Sequence, residues 1–88
     1  MGKSGKQAEA TAKIRELLLQ RGFDIPSRKM RLPDDQQWTV FQHGERQLGI
    51  DTASGVWVRD SISDSWKCIA LPCTTSGAIQ AVEFLTRD

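Results

Sequence analysis

The chain has 88 residues, 39% hydrophobic and 26% charged, with a formal net charge of +1. That length makes one domain with a thin core, and the composition is that of a globular chain rather than a disordered one. The near-neutral balance points to no partner by itself, and two cysteines are too few for a disulfide scaffold.

The start, Met1-Gly2-Lys3-Ser4-Gly5-Lys6, is charged and lacks the apolar stretch of a secretory signal. It is expected to be a flexible basic segment over residues 1–6, ahead of a single domain over 7–88. Ser4-Gly5-Lys6-Gln7 has the form of a capping box. Ala10, Ile14, Leu17 and Leu18 then recur on one helical stripe, which predicts a helix near residues 5–21. Gly22 suits the left-handed position that ends a helix, and Phe23 after it can fold back on Leu18, as in a Schellman motif.

Asp24 to Ser27 leaves the helix, Arg28 to Leu32 is compatible with extended backbone, and Pro33-Asp34-Asp35 reads as a turn. From Trp38 the hydrophobic period becomes two. Strands are predicted near 37–43, 46–51, 55–60 and 66–71, joined by short turns around Gly44, Asp51–Gly55 and Ser61–Ser65. Such connections favour an antiparallel meander.

Placing the second turn at Asp51–Gly55 pairs Ile50 with Val56 and Leu48 with Val58, and sets Trp57 across from Gly49 on the other face. Pairing Arg59 with Lys67 in the next hairpin would add Trp66, Cys68 and Ala70 to the apolar face. The first strand depends on its loop. Three loop residues would put Trp38 and Val40 on that face, and two would put Phe41 there, because one slip inverts a strand. Thr74 or Thr75 can cap a second helix, whose buried stripe is Ala78, Ala81, Val82 and Leu85. The expected fold is α+β: an N-terminal helix, a three- to four-stranded antiparallel meander and a C-terminal helix, both helices on one sheet face.

Catalytic chemistry finds little support. His43 is the sole histidine, which excludes a histidine cluster, and the C-x4-C pair Cys68 and Cys73 would give with it only three ligands of mixed strand parity. Extended backbone would hold those two cysteines roughly 16 Å apart, so reduced thiols in a cytoplasmic protein are expected. The Asp34-Asp35 and Asp60/Asp64 pairs sit in turns, where aspartate serves the backbone. No enzyme activity, metal, cofactor or membrane attachment is expected.

Two surfaces remain. The second sheet face would present Trp57, Arg59, Lys67, Ile69, Leu71 and, with a three-residue first loop, Phe41. Trp and Arg are enriched in protein hot spots, so a non-catalytic binding or regulatory domain with a protein partner, or self-association, is the leading expectation. Residues 1–31 hold eight of the twelve cations and only three of the eleven anions. Lys13, Arg15, Arg21, Arg28, Lys29 and Arg31 could therefore track nucleic-acid phosphates, with the aromatic face stacking bases, as an alternative. The element order resembles that of the double-stranded-RNA-binding domain. That family reads RNA through a basic start to its second helix, where this chain has Thr74-Thr75-Ser76-Gly77-Ala78, without a cation.

Overall fold

The computed structural model describes residues 5–87. Helix α1 (Gly5–Gln20) is followed by five strands, β1 (Ser27–Arg31), β2 (Gln37–His43), β3 (Arg46–Ile50), β4 (Val56–Arg59) and β5 (Lys67–Ala70), and by helix α2 (Thr75–Thr86). The strands form one antiparallel sheet in the order β1-β2-β3-β4-β5, so each pairs only with its chain neighbours. The α+β class stands, and the strand count is a correction. The extra strand is Ser27–Arg31, which carries three cations and no apolar alternation because it is a sheet edge. Charged side chains there discourage pairing with another chain.

Helix α1 ends as its residues dictate. Gly22 has φ +86°. Its amide donates to the Leu19 carbonyl at 2.9 Å and that of Phe23 to the Leu18 carbonyl at 2.9 Å, the two bonds of a Schellman motif. The capping box involves Ser4, which lies outside the described residues. Gln7 turns its amide to the sheet instead, donating to the carbonyls of Gln37 (3.2 Å) and Ile50 (3.1 Å). In α2 the cap is Thr74, whose hydroxyl oxygen accepts from the Gly77 amide at 3.0 Å.

Both helices cover one sheet face. Ala10, Ile14 and Leu18 from α1 meet Ala78, Ala81, Val82 and Leu85 from α2 over Phe41, Leu48, Ile50, Val56 and Val58, all buried. Small residues let α2 approach closely, since a Cβ on Gly77 would lie 2.5 Å from that of Ala70. The α1 C-terminal end reaches α2 through Arg21 and Glu83, 3.5 Å apart.

The β2–β3 connection settles the first strand. His43 pairs with Arg46, leaving a two-residue turn with the positive φ on Gly44. Phe41 therefore points to the helices and is fully buried, while Trp38 and Val40 point away. The β3–β4 register is the expected one: Ile50 with Val56, Leu48 with Val58, Gly49 with Trp57. Its turn is organised by the buried Asp51, whose Oδ1 accepts from the amides of Ala53 (2.8 Å) and Gly55 (2.7 Å).

The β4–β5 register departs from expectation. Val56 pairs with Ala70, but a bulge shifts the ladder so that Trp57 pairs with Cys68 and Val58 with Lys67. The extra residue, Ile69, packs against the core, and Arg59 no longer faces Lys67. Cys68 is thereby moved to the other face and is exposed. No helix of the described residues is long and apolar enough to cross a membrane.

Candidate functional site

The face away from the helices is covered by the protein's own tryptophans. Trp38 and Trp57 arrive there from β2 and β4. Trp66 comes from the segment just before β5 and folds onto the same face. The ring of Trp38 lies 5.4 Å from that of Trp57 and 5.2 Å from that of Trp66, centroid to centroid. These tilted contacts fall in the favourable range for aromatic pairs.

The cluster rests on Gly49, where a Cβ would lie 2.8 Å from Cε3 of Trp38 and 3.2 Å from two ring atoms of Trp66. Glycine is needed there because the indoles occupy the space of a side chain. Trp66 was expected in the core; the bulge and its position before β5 place it on the opposite face. Trp57 does lie across from Gly49, but the rings that cover the glycine are those of Trp38 and Trp66.

Two of the three indole N–H groups are fixed. Trp57 donates to Asp51 Oδ2 at 2.8 Å and Trp38 to Gln36 Oε1 at 3.2 Å. Trp38 is 7% exposed, whereas Trp57 and Trp66 are half-buried and keep surface toward solvent. The Arg59 guanidinium lies 4.3 Å from the Trp66 ring centroid, a cation–π contact. Burial lowers the Arg59 pKa from its ordinary value, with nearby Asp64 acting the other way.

A polar row crosses the same face beside the tryptophans. Arg59 Nε donates to Gln47 Oε1 (2.7 Å), Gln47 Nε2 to Gln42 Oε1 (3.2 Å), and Arg28 to the same Gln42 oxygen (2.9 Å). Gln47 is fully buried although it faces away from the helices. Four strands are thus tied by side chains on one face, and the arginine that stacks on Trp66 is anchored at its other edge.

Of the six residues expected on this face, the structure brings Trp57 and Arg59 together there. Phe41 and Ile69 are turned to the core by the two-residue turn and the bulge, and Lys67 pairs with Val58 at the sheet edge. Sequence reasoning missed Trp66 and Gln47, whereas the exposed Leu71 was among the residues expected on this face. Leu71 Cδ1 and Asp51 Oδ2 converge at Gly55, each 2.5 Å from where a Cβ would stand. Leu71 therefore adjoins the carboxylate that holds Trp57.

The cations of the first third do not form one stripe. Arg21 pairs with Glu83, and Arg31 with Asp35 at 2.9 Å. Lys13 lines a depression with Lys6, Glu9, Ser54 and Cys73. Arg15 and Lys29 border a separate cleft between α1 and β1, and Arg28 directs its guanidinium to the tryptophan side.

His43 packs edge-on against Phe23, with centroids 5.2 Å apart, and lines a groove with Arg46, Asp60 and Arg87. That groove does not include either cysteine. Both thiols are free. Burial raises the Cys73 pKa and Lys13 pulls it part-way back. Among the described residues no three of His, Cys, Asp and Glu converge as metal ligands would. Comparison with protein-family models, with curated proteins and with solved structures gave no match to this chain.

Proposed function

We propose that this protein is a small non-catalytic binding module that engages a protein partner through the tryptophan face, in a cytoplasmic setting where Cys68 and Cys73 stay reduced. The observation that carries the reading is the cluster itself: three indoles in mutual contact, with Arg59 stacked on one of them, on a face that neither helix covers. Rigid aromatics held before binding lose little entropy on contact, and Trp and Arg dominate interface hot spots.

The composition supports a partner that offers an apolar side chain beside a carboxylate. The half-exposed Trp57 and Trp66 and the exposed Leu71 would take the apolar group. Arg59 would take the charge; within the domain its guanidinium donates to the Gln47 amide oxygen and the Asp64 carbonyl. The sheet edges suit association less well. β1 is charged along its length, and β5 has four residues and a bulge.

A photo-crosslinking amino acid at Leu71, on the rim of the face, should capture a partner in cells. The same group at Gln20, on α1, should not. Arg59→Glu should abolish the Leu71 product while the thermal midpoint confirms a folded domain. Equal capture from both positions, or capture undiminished by Arg59→Glu, would reject the reading. So would a Leu71 product made only of two copies of this chain.

A further inference from the structure

We propose that the cleft between α1 and β1 binds a small phosphate monoester, with Lys29 and Arg15 as the two cationic contacts. The cleft has a volume of about 490 Å³, within the range of small-molecule sites. It lies on the helix side of the sheet, so it is distinct from the tryptophan face and does not depend on the function assigned there.

The first observation is how Lys29 is held. Its ammonium donates to Gln7 Oε1 at 2.9 Å and to Thr39 Oγ1 at 3.0 Å. Both acceptors are neutral and both belong to buried residues. Gln7 is itself fixed by its two bonds to the Gln37 and Ile50 carbonyls. A surface lysine ordinarily sweeps freely through solvent. Here residues from α1 and β2 fix the head of a β1 lysine in one place, with its charge unneutralised and its third N–H bond still to be used.

The second observation is the rest of the wall. Arg15 projects from α1 on the other side and has no hydrogen bond or ion pair among the described residues. No carboxylate lines the cleft, and the third cation on its wall, Arg28, commits its guanidinium to Gln42 on the other sheet face. The Ser27 hydroxyl stands at the start of β1 and can donate. Ala8 and Ala12, small residues on the facing turns of α1, leave room for the organic part of a ligand.

Two cations match the charge of a phosphate monoester, which is close to −2 at neutral pH. An ammonium acts as a point-charge phosphate binder and a guanidinium adds a two-pronged contact. A monocarboxylate ligand would leave one of the two charges without a counterpart.

The test is a titration of the ¹⁵N-labelled full chain with a nucleoside 5′-monophosphate and, separately, with a hexose phosphate. The unphosphorylated nucleoside and hexose serve as controls. The expected result is saturable shifts at Ala8, Thr11, Ala12 and Ser27 with at least one phosphate ester and none with its parent alcohol. Lys29→Gln and Arg15→Gln should each weaken that binding by about tenfold or more. Arg15 is exposed and unpaired among the described residues, so Arg15→Gln should keep the parent's thermal midpoint. Lys29→Gln takes a donor from the buried Gln7 and Thr39 and should lower it, with a native-like ¹⁵N spectrum confirming the fold. Which ester binds more tightly identifies the organic part the cleft accepts. Absence of saturation by either ester at millimolar concentration would overturn the proposal. So would shifts produced equally by the parent alcohols, or affinity unchanged in both variants.

Discussion

Gly49→Ala puts the tryptophan cover to a direct test. The new methyl carbon would stand 2.8 Å from Cε3 of Trp38 and 3.2 Å from Cη2 and Cζ3 of Trp66, where carbon atoms prefer about 3.5–4.0 Å. Neither ring can simply step aside. Trp38 is 7% exposed, is packed against both other indoles and is bonded through its N–H to Gln36. Trp66 lies beneath Arg59. Overpacking of this kind costs about 1–3 kcal/mol. Alanine in place of glycine inside a strand would otherwise gain about 0.5–1 kcal/mol. The 2.8 Å contact places the steric cost in the upper half of that range, at about 2–3 kcal/mol, so the net loss is about 1–2 kcal/mol, or a drop in Tm of about 4–16 °C for a domain of this size.

Thermal unfolding followed by circular dichroism measures that loss, and tryptophan emission reports the same face independently. In a Trp66→Leu background the methyl has one fewer ring to displace. The cost of Gly49→Ala should then shrink by about 0.5 kcal/mol or more, the coupling typical of residues in contact. A Gly49→Ala variant with a Tm equal to or above the parent's would refute the idea that the indoles rest on this glycine.

Asp51→Ala removes the acceptor of the Ala53, Gly55 and Trp57 N–H groups and should cost about 3 kcal/mol in urea unfolding, with a change in tryptophan emission; a loss below about 1 kcal/mol would mean that the turn holds without it. Thr74→Ala should cost about 1 kcal/mol through its lost cap, whereas Thr75→Ala should be nearly silent, and a reversed order would move the cap. In a Cys68→Ser variant, alkylation of Cys73 should require a higher pH than alkylation of a free thiol, because burial favours its protonated form. The linked stability has a definite sign: the folded state holds this proton more tightly, so the contribution is complete below the unfolded thiol's pKa and declines as pH rises through the folded one. A Cys73 titration at or below that of a free thiol would contradict it.

Much of the fold was legible because it is written in local pattern. The glycine and phenylalanine after α1, the apolar stripe of α2 and the alternation that sets β3 against β4 each need only neighbouring residues to be read. The failures came from single-residue events with large consequences. The turn at Gly44 could close with two residues or three, and that one choice decides whether Phe41 or Trp38 enters the core. The β5 bulge has no mark in the sequence, yet it turns Ile69 inward and Cys68 outward. The strand over Ser27–Arg31 carries the charges of an edge, so periodicity could not reveal it. The tie between Gln7, Lys29 and Thr39 joins three elements across 22 and 10 positions, and no local pattern encodes it.

The purely sequential sheet has a consequence for how the protein is made. Every hairpin can close as soon as its second strand leaves the ribosome, because no strand waits for a distant partner. The first helix is in the opposite position. Ala10, Ile14 and Leu18 share their core with Ala78, Ala81, Val82 and Leu85, which are synthesised only after the whole meander. A nascent chain that has completed the meander therefore still carries an open groove along α1. It becomes a closed domain only on release of α2, so a chain stopped before Thr75 exposes half a core to chaperones and proteases.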